Sequence, residues 1–317
     1  MVKRILTVIL VISIVVISGL CFALYLRPST IISKQEAKEK YSLPDSKFLT
    51  WRGGDVHYVD EGSGFPLLMI HGLAGSHRNF GKIAERLKDS YRCIRVDLPG
   101  FGLSDLPEVP QDNYRKLYSE FFNFFLDSLR LDSFYVMGNS MGGWMAWEIA
   151  AAHPEKVKRL VLLCSAGYDM EKIALKLSAG MKSSSAFVEK LTARGIPYFV
   201  TKNNVEKCFA QPSRANPEEI AVASGLTNRE GNFHTVLELL RHRKDADTTI
   251  IHAISCPTLV VWGKEDNLIP YTHAFRFQRD VPRNKTIVYE DCGHIPMIEK
   301  VEELEKDFRE FVRDTTI

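Results

Sequence analysis

The chain has 317 residues, 45% of them hydrophobic, 10% aromatic and 25% charged, a balance that supports a large buried core and excludes an intrinsically disordered protein. Lys3 and Arg4 precede the first apolar run, and without them 39 basic residues face 39 acidic ones, which excludes a binder that neutralises nucleic-acid phosphates. The six cysteines are dispersed, with no CxxC pair or metal-ligand spacing, so neither a disulfide framework nor a structural zinc site is expected.

In chain order, Ile5 to Leu26 is free of charge; as a helix it would be about 33 Å long, enough to span a bilayer. The run is longer than a cleaved signal peptide's apolar stretch, and Cys21-Phe22-Ala23 is a weak cleavage site. A buried core helix is the alternative, yet an all-round apolar surface at a chain end is hard to cover. The expectation is a transmembrane signal anchor over residues 1–26, amino terminus cytoplasmic, with the body on the periplasmic, extracellular or luminal face. A polar stalk over 27–47 and a body over 48–317 follow.

The body alternates short apolar runs with helical patterns, the signature of an α/β fold around a mostly parallel sheet. Strands are expected at Val56–Val59, Leu67–Ile70, Cys93–Val96, Phe134–Met137, Leu160–Leu163, Thr258–Val261 and Thr286–Tyr289. Leu117, Phe121, Phe124, Phe125 and Leu129 recur at helical spacing, as do Val301, Leu304, Phe308 and Val312, giving each helix an apolar stripe for the sheet. Between residues 169 and 248 the rhythm lapses over a length no ordinary loop has, and an inserted helical cap is expected there.

Gly138-Asn139-Ser140-Met141-Gly142 lies between an apolar strand and a helix. Glycines two before and two after relieve crowding at a sharp strand-to-helix turn, which would present Ser140 as a nucleophile at the helix's positive end. Upstream, a strand ends at His71-Gly72 and a turn follows; its geometry can aim the N–H of Leu73, with that of Met141, at an oxyanion. His71 is read as a brace for that loop rather than a catalyst. A serine hydroxyl needs a base and the base an orienting carboxylate. Among nine histidines, His294 stands on a loop between a strand and the last helix. Asp266 occupies the turn after an earlier strand, with Asp169 the second candidate acid and Glu265 expected to point elsewhere.

HGLAGS, DLPGFGLSD, GNSMGG, VVWGKEDNLIP and CGHIPM occur in this order between Phe48 and Val312, and through them the chain resembles the α/β-hydrolases. Within that superfamily it is similar to lipase-1-type bacterial lipases and membrane-anchored monoacylglycerol lipases. The resemblance implies a mostly parallel sheet flanked by helices with an inserted cap, Ser140, Asp266 and His294 as a triad, and Leu73 and Met141 as the oxyanion hole. The implied reaction is hydrolysis of a small-molecule acyl ester, lipid-like in character, through an acyl-enzyme and with no metal or organic cofactor. The Asp97 loop matches a structural family loop. GNSMGG also occurs in hydrolases that cleave carbon–carbon bonds of ring-fission products, but Ile295 stands where those enzymes usually carry tryptophan. Hydrolysis of short-chain esters or thioesters and a silent ligand-binding module are the alternatives that the same residues admit.

Overall fold

Strand side chains point alternately to opposite faces, and the strands of this chain spend that alternation on two separate cores. In the computed structural model, which describes Gly19 and residues 27–107, 114–169, 192–241 and 246–316, Leu68, Ile70, Val260 and Trp262 enter one core. Their neighbours Leu67, Met69, Leu259 and Val261 enter the other. The elements that share them are β1 (Ser46–Trp51), β2 (Gly54–Glu61), β3 (Phe65–Ile70), β4 (Tyr91–Val96), β5 (Phe134–Asn139), β6 (Val157–Leu163), β7 (Thr258–Gly263) and β8 (Asn284–Tyr289). They form one sheet in the order β1-β2-β4-β3-β5-β6-β7-β8. β1 with β2 and β2 with β4 are antiparallel; the remaining pairs are parallel.

Helices cover both faces, as a parallel sheet requires. The chain carries α1 (Lys34–Tyr41), α2 (Gly81–Leu87), α3 (Tyr114–Ser128), α4 (Met141–Ala152), α5 (Tyr198–Glu206), α6 (Pro217–Thr227), α7 (Asn232–Arg241), α8 (Thr272–Asp280), α9 (Pro296–Glu299) and α10 (Val301–Arg313). One face receives Phe121 and Phe125 of α3, Trp147 of α4 and Phe277 of α8; the other receives Ile83 and Leu87 of α2 with Leu304 and Phe308 of α10. Each such fully buried side chain contributes about 1.5–3 kcal/mol of apolar transfer. On α10 the last buried position is Phe311, not the expected Val312, which only packs at the edge. Each expected strand falls within an observed one. β1, which the sequence reading missed, adds an antiparallel edge.

The expected anchor, residues 1–26, lies outside the described residues apart from Gly19, and no helix among the described residues is long and apolar enough to cross a membrane. The stretch expected as a polar stalk is not a free tether. It contains α1, whose Ser33 caps the Glu36 N–H at 3.1 Å and whose Ala37 and Tyr41 pack on Leu103 and Leu226, and it reaches into β1. Just before α1, Thr30 donates its N–H to the Arg194 carbonyl at 2.8 Å and Ile32 its own to Asn228 at 3.1 Å. The segment is therefore laced to the insert between β6 and β7. That insert, where a helical cap is expected, supplies α5, α6 and α7; its residues 170–191 and 242–245 lie outside the described residues. Cys93, Cys164, Cys208, Cys256 and Cys292 are free thiols, so no disulfide forms among the described residues.

Candidate active site

At the end of β5 the backbone turns abruptly into α4, and Ser140 occupies the turn with φ 55° and ψ −119°, a region that non-glycine residues enter only when their surroundings force them. The force is steric and hydrogen-bonded. A Cβ on Gly138 would stand 2.2 Å from the Gly142 carbonyl oxygen, and one on Gly142 would stand 2.1 Å from that of Ile70. Only glycine permits the strand, the turn and the helix to approach so closely. The Ser140 N–H donates to Leu163 at 3.0 Å, and its carbonyl accepts from Ala166 at 2.9 Å and Trp144 at 3.1 Å.

Asp266 follows β7 and His294 follows β8, on neighbouring loops at the same sheet end. His294 Nδ1 is 2.7 Å from Asp266 Oδ2. The other carboxylate oxygen, Oδ1, accepts the N–H groups of Leu268 at 2.8 Å and Ile269 at 2.9 Å, so the carboxylate cannot rotate away from the imidazole without losing two bonds. Asp169, the second candidate acid, instead pairs with Arg276. Glu265 points away from the imidazole and accepts the Cys292 N–H at 3.0 Å. Asn139, beside the serine, donates through Nδ2 to the His294 carbonyl at 2.9 Å and to Leu163 at 3.1 Å.

Ser140 and His294 open onto one cavity of about 1370 Å³, and the expected oxyanion residues Leu73 and Met141 line it as well. Asp266 sits behind the imidazole. Met141 is the first residue of α4, where an N–H has no intrahelical partner and the helix end is electropositive. Trp144, Phe233, Val236, Leu239 and Ile295 make much of the wall apolar.

His71 does brace the loop that carries Leu73. Its Nε2 accepts the Leu98 N–H at 3.0 Å, so the proton resides on Nδ1, which donates to the Gly72 carbonyl at 2.7 Å. Complete burial lowers its pKa and keeps the ring neutral, against the opposing pull of Asp97. Asp97, expected to be structural, is the hub of its loop. It accepts from His57 Nδ1 at 2.7 Å, from the His77 N–H at 2.6 Å and from the Leu103 N–H at 2.8 Å, and His77 Nδ1 stands 3.0 Å away. Burial alone would raise this carboxyl, but the charge interactions and hydrogen bonds of His77 and His57 outweigh it and hold it well below the usual carboxylate range.

Two groups among the described residues bring potential metal donors together, His57 with His77 and Asp97, and Cys164 with Asp266 and His294. In both, the carboxylate is already engaged with imidazole and backbone N–H groups, and burial pushes the Cys164 thiol far above its ordinary value. The donor chemistry suits hydrogen bonding rather than coordination.

The pattern of the alpha/beta hydrolase fold family matches residues 66–301. Lipase 1 of Psychrobacter immobilis is 30% identical over 276 residues, covering 84% of this chain and 83% of the relative. A 2-hydroxymuconate semialdehyde hydrolase of Pseudomonas sp. (strain CF600) is 29% identical over 251 residues, covering 76% of this chain and 84% of the relative. Among solved structures, a membrane phospholipase A described as a bacterial virulence factor superposes with a TM-score of 0.67 at 24% identity, covering 98% of both chains; that likeness is one of fold. The chain belongs to the α/β-hydrolase fold family and is a hydrolase with lipases among its relatives.

Proposed function

We propose that this protein is a serine hydrolase that cleaves carboxylic esters of lipid-like character. The observation that carries the reading is that His294, paired with Asp266 behind it, opens together with the strained Ser140 onto one largely apolar cavity. Ser140 Oγ attacks the ester carbonyl while His294 Nε2 takes its proton. The tetrahedral oxyanion is held by the Leu73 and Met141 N–H groups, donors of a kind worth about 2.7–4 kcal/mol each. Collapse expels the alcohol, protonated by His294, and leaves an acyl-serine; water, deprotonated by His294, then releases the carboxylic acid. Asp266 holds the imidazole in the tautomer with the proton on Nδ1 and stabilises the imidazolium.

The relative named for 2-hydroxymuconate semialdehyde keeps carbon–carbon cleavage as a second reading. Ile295 after the histidine favours the ester. A substrate panel separates them: hydrolysis of monoacylglycerols and nitrophenyl esters is expected to rise with acyl length beyond the shortest members, with little turnover of a 2-hydroxy-6-oxo-dienoate. A maximum at acetyl esters would remove the lipid-like class, and preference for the dienoate would replace esters altogether.

We further propose that the apolar run Ile5–Leu26 anchors the chain in a bilayer with the body on the non-cytoplasmic side. The absence of charge over that run and the basic pair before it support this. In sealed right-side-out vesicles, added protease is expected to digest the body, and in inverted vesicles to leave it intact. The reverse pattern would overturn the orientation, and release of the body by washing would overturn the anchor.

A further inference from the structure

The His294 loop is bound to the insert between β6 and β7 at Asp291, Gly293 and His294. The His294 N–H donates to the Cys208 carbonyl at 2.7 Å. A Cβ on Gly293 would lie 2.3 Å from that same oxygen and 2.7 Å from the Ala210 nitrogen, so the two backbones are in contact. Asp291 takes Gln211 Nε2 on one carboxylate oxygen at 3.0 Å and Arg214 on the other, while Arg214 also donates to the Asp291 carbonyl at 3.1 Å.

One side chain joins both backbones. Glu299, at the end of α9 and with 1% of its side chain exposed, accepts the Gly293 N–H at 2.7 Å and the Ala210 N–H at 3.1 Å and 3.2 Å. Its nearest cation, Arg214 Nη1, is 3.6 Å away. A buried carboxylate is costly unless its oxygens are occupied, and here the occupants are one N–H from each of the two segments. Apolar packing would fill the same space without linking them.

We propose that Glu299 is a positioning residue that sets His294 against Asp266 and Ser140, and that this setting depends on the seating of residues 208–214 of the insert. With the carboxylate in place, Gly293 and Ala210 are tied to one group, and the His294 main chain is held from the insert side through its N–H as Asn139 holds it from the nucleophile side through its carbonyl. Burial raises the Glu299 carboxyl, and the two N–H groups and Arg214 counter that pull. The inference rests on the acyl-transfer reading above.

The test uses the full chain in detergent micelles with Glu299→Ala, Glu299→Gln and Arg214→Ala. Glu299→Ala is expected to lower kcat for ester hydrolysis by about 10-fold to 100-fold, the scale of misplacing a catalytic group by about an ångström, with KM nearly unchanged and fluorophosphonate labelling slowed in parallel. Glu299→Gln keeps one acceptor oxygen and should recover part of the rate. Arg214→Ala, on an accessible side chain, should act in the same direction more weakly and less than additively with Glu299→Ala. The downfield proton signal of His294 Nδ1–H should shift or broaden in Glu299→Ala. A variant with lowered melting temperature but wild-type kcat and an unmoved signal would overturn the proposal. If Glu299→Ala does not fold, an unchanged kcat and signal in Arg214→Ala would overturn it. Wild-type protein that neither hydrolyses esters nor labels would sink the acyl-transfer reading instead, and the proton signal would still decide whether Glu299 positions His294.

Discussion

Ser140→Ala is expected to abolish ester turnover and fluorophosphonate labelling while leaving the melting temperature close to that of the wild type. Removing the nucleophile of a working triad costs on the order of 10⁶-fold in kcat, and what survives reflects substrate binding and the oxyanion donors alone. The fold should tolerate the change, because Ser140 is held through its main chain, by Leu163, Ala166 and Trp144, and its two flanking glycines remain. His294→Ala should remove labelling to a similar extent, since without a base the hydroxyl is a weak nucleophile. Asp266→Asn should cost about 10⁴-fold by favouring the wrong tautomer. It also turns an amide N–H toward either the imidazole N–H or the Leu268 and Ile269 N–H groups. The readouts are burst kinetics with a chromogenic ester and gel-based probe labelling, with near-ultraviolet circular dichroism to confirm folding. A Ser140→Ala protein that turns over at the wild-type rate would end the assignment.

The residues in that experiment were legible because their signals are local. Ser140 is announced by glycines two residues to either side, and those glycines meet main-chain oxygens at distances no Cβ could occupy. Asp266 follows β7 and His294 follows β8, neighbouring parallel strands at one side of the sheet, so the same apolar run that marks each strand marks the loop at its end. The stripes on α3 and α10 could be read for the same reason, one face of a helix being written at steps of three and four. Phe311 departs from that count by one position, the last buried step from Phe308 being three residues where four was expected. β1 escaped because its inner and outer residues differ little in burial; its pairing with β2 is settled by the hairpin, not by composition. The Asp97 hub was illegible in principle. His57 and His77 stand 40 and 20 positions from Asp97; His57 reaches it because β2 runs antiparallel beside β4, and His77, on the turn after β3, because β3 runs parallel beside β4, neighbour relations no spacing encodes. Glu299 was hidden likewise, since its partner Ala210 comes from the insert, 89 positions away.

Asp97→Asn is expected to have the largest effect on stability of any conservative substitution outside the candidate site. The carboxylate is fully buried and accepts from His57, Leu103 and both the main chain and ring of His77. An asparagine offers one acceptor oxygen and turns an NH₂ toward groups that are themselves donors. Breaking a buried charged network from one side costs about 3–5 kcal/mol, and at about 2–4 °C per kcal/mol for a large domain the melting temperature should fall by about 6–20 °C. The acid response should change as well. Asp97 has a folded-state pKa below its unfolded value, so its contribution is complete above about pH 4 and is lost as pH falls through the folded value. His71 and His77 are pushed down by burial, so they add a separate loss that begins as pH drops below their ordinary range near about 6.5, where the unfolded chain binds protons first. In urea titrations across this span the wild type should lose stability in both windows. Asp97→Asn should keep the upper one and flatten the lower. Because the Leu98 N–H, next in sequence, ties this loop to His71 and so to Leu73, ester turnover should also fall below the variant's melting temperature. A variant within about 1 kcal/mol of wild type, or one with the same slope below pH 4, would mean that the hub is not what holds the loop.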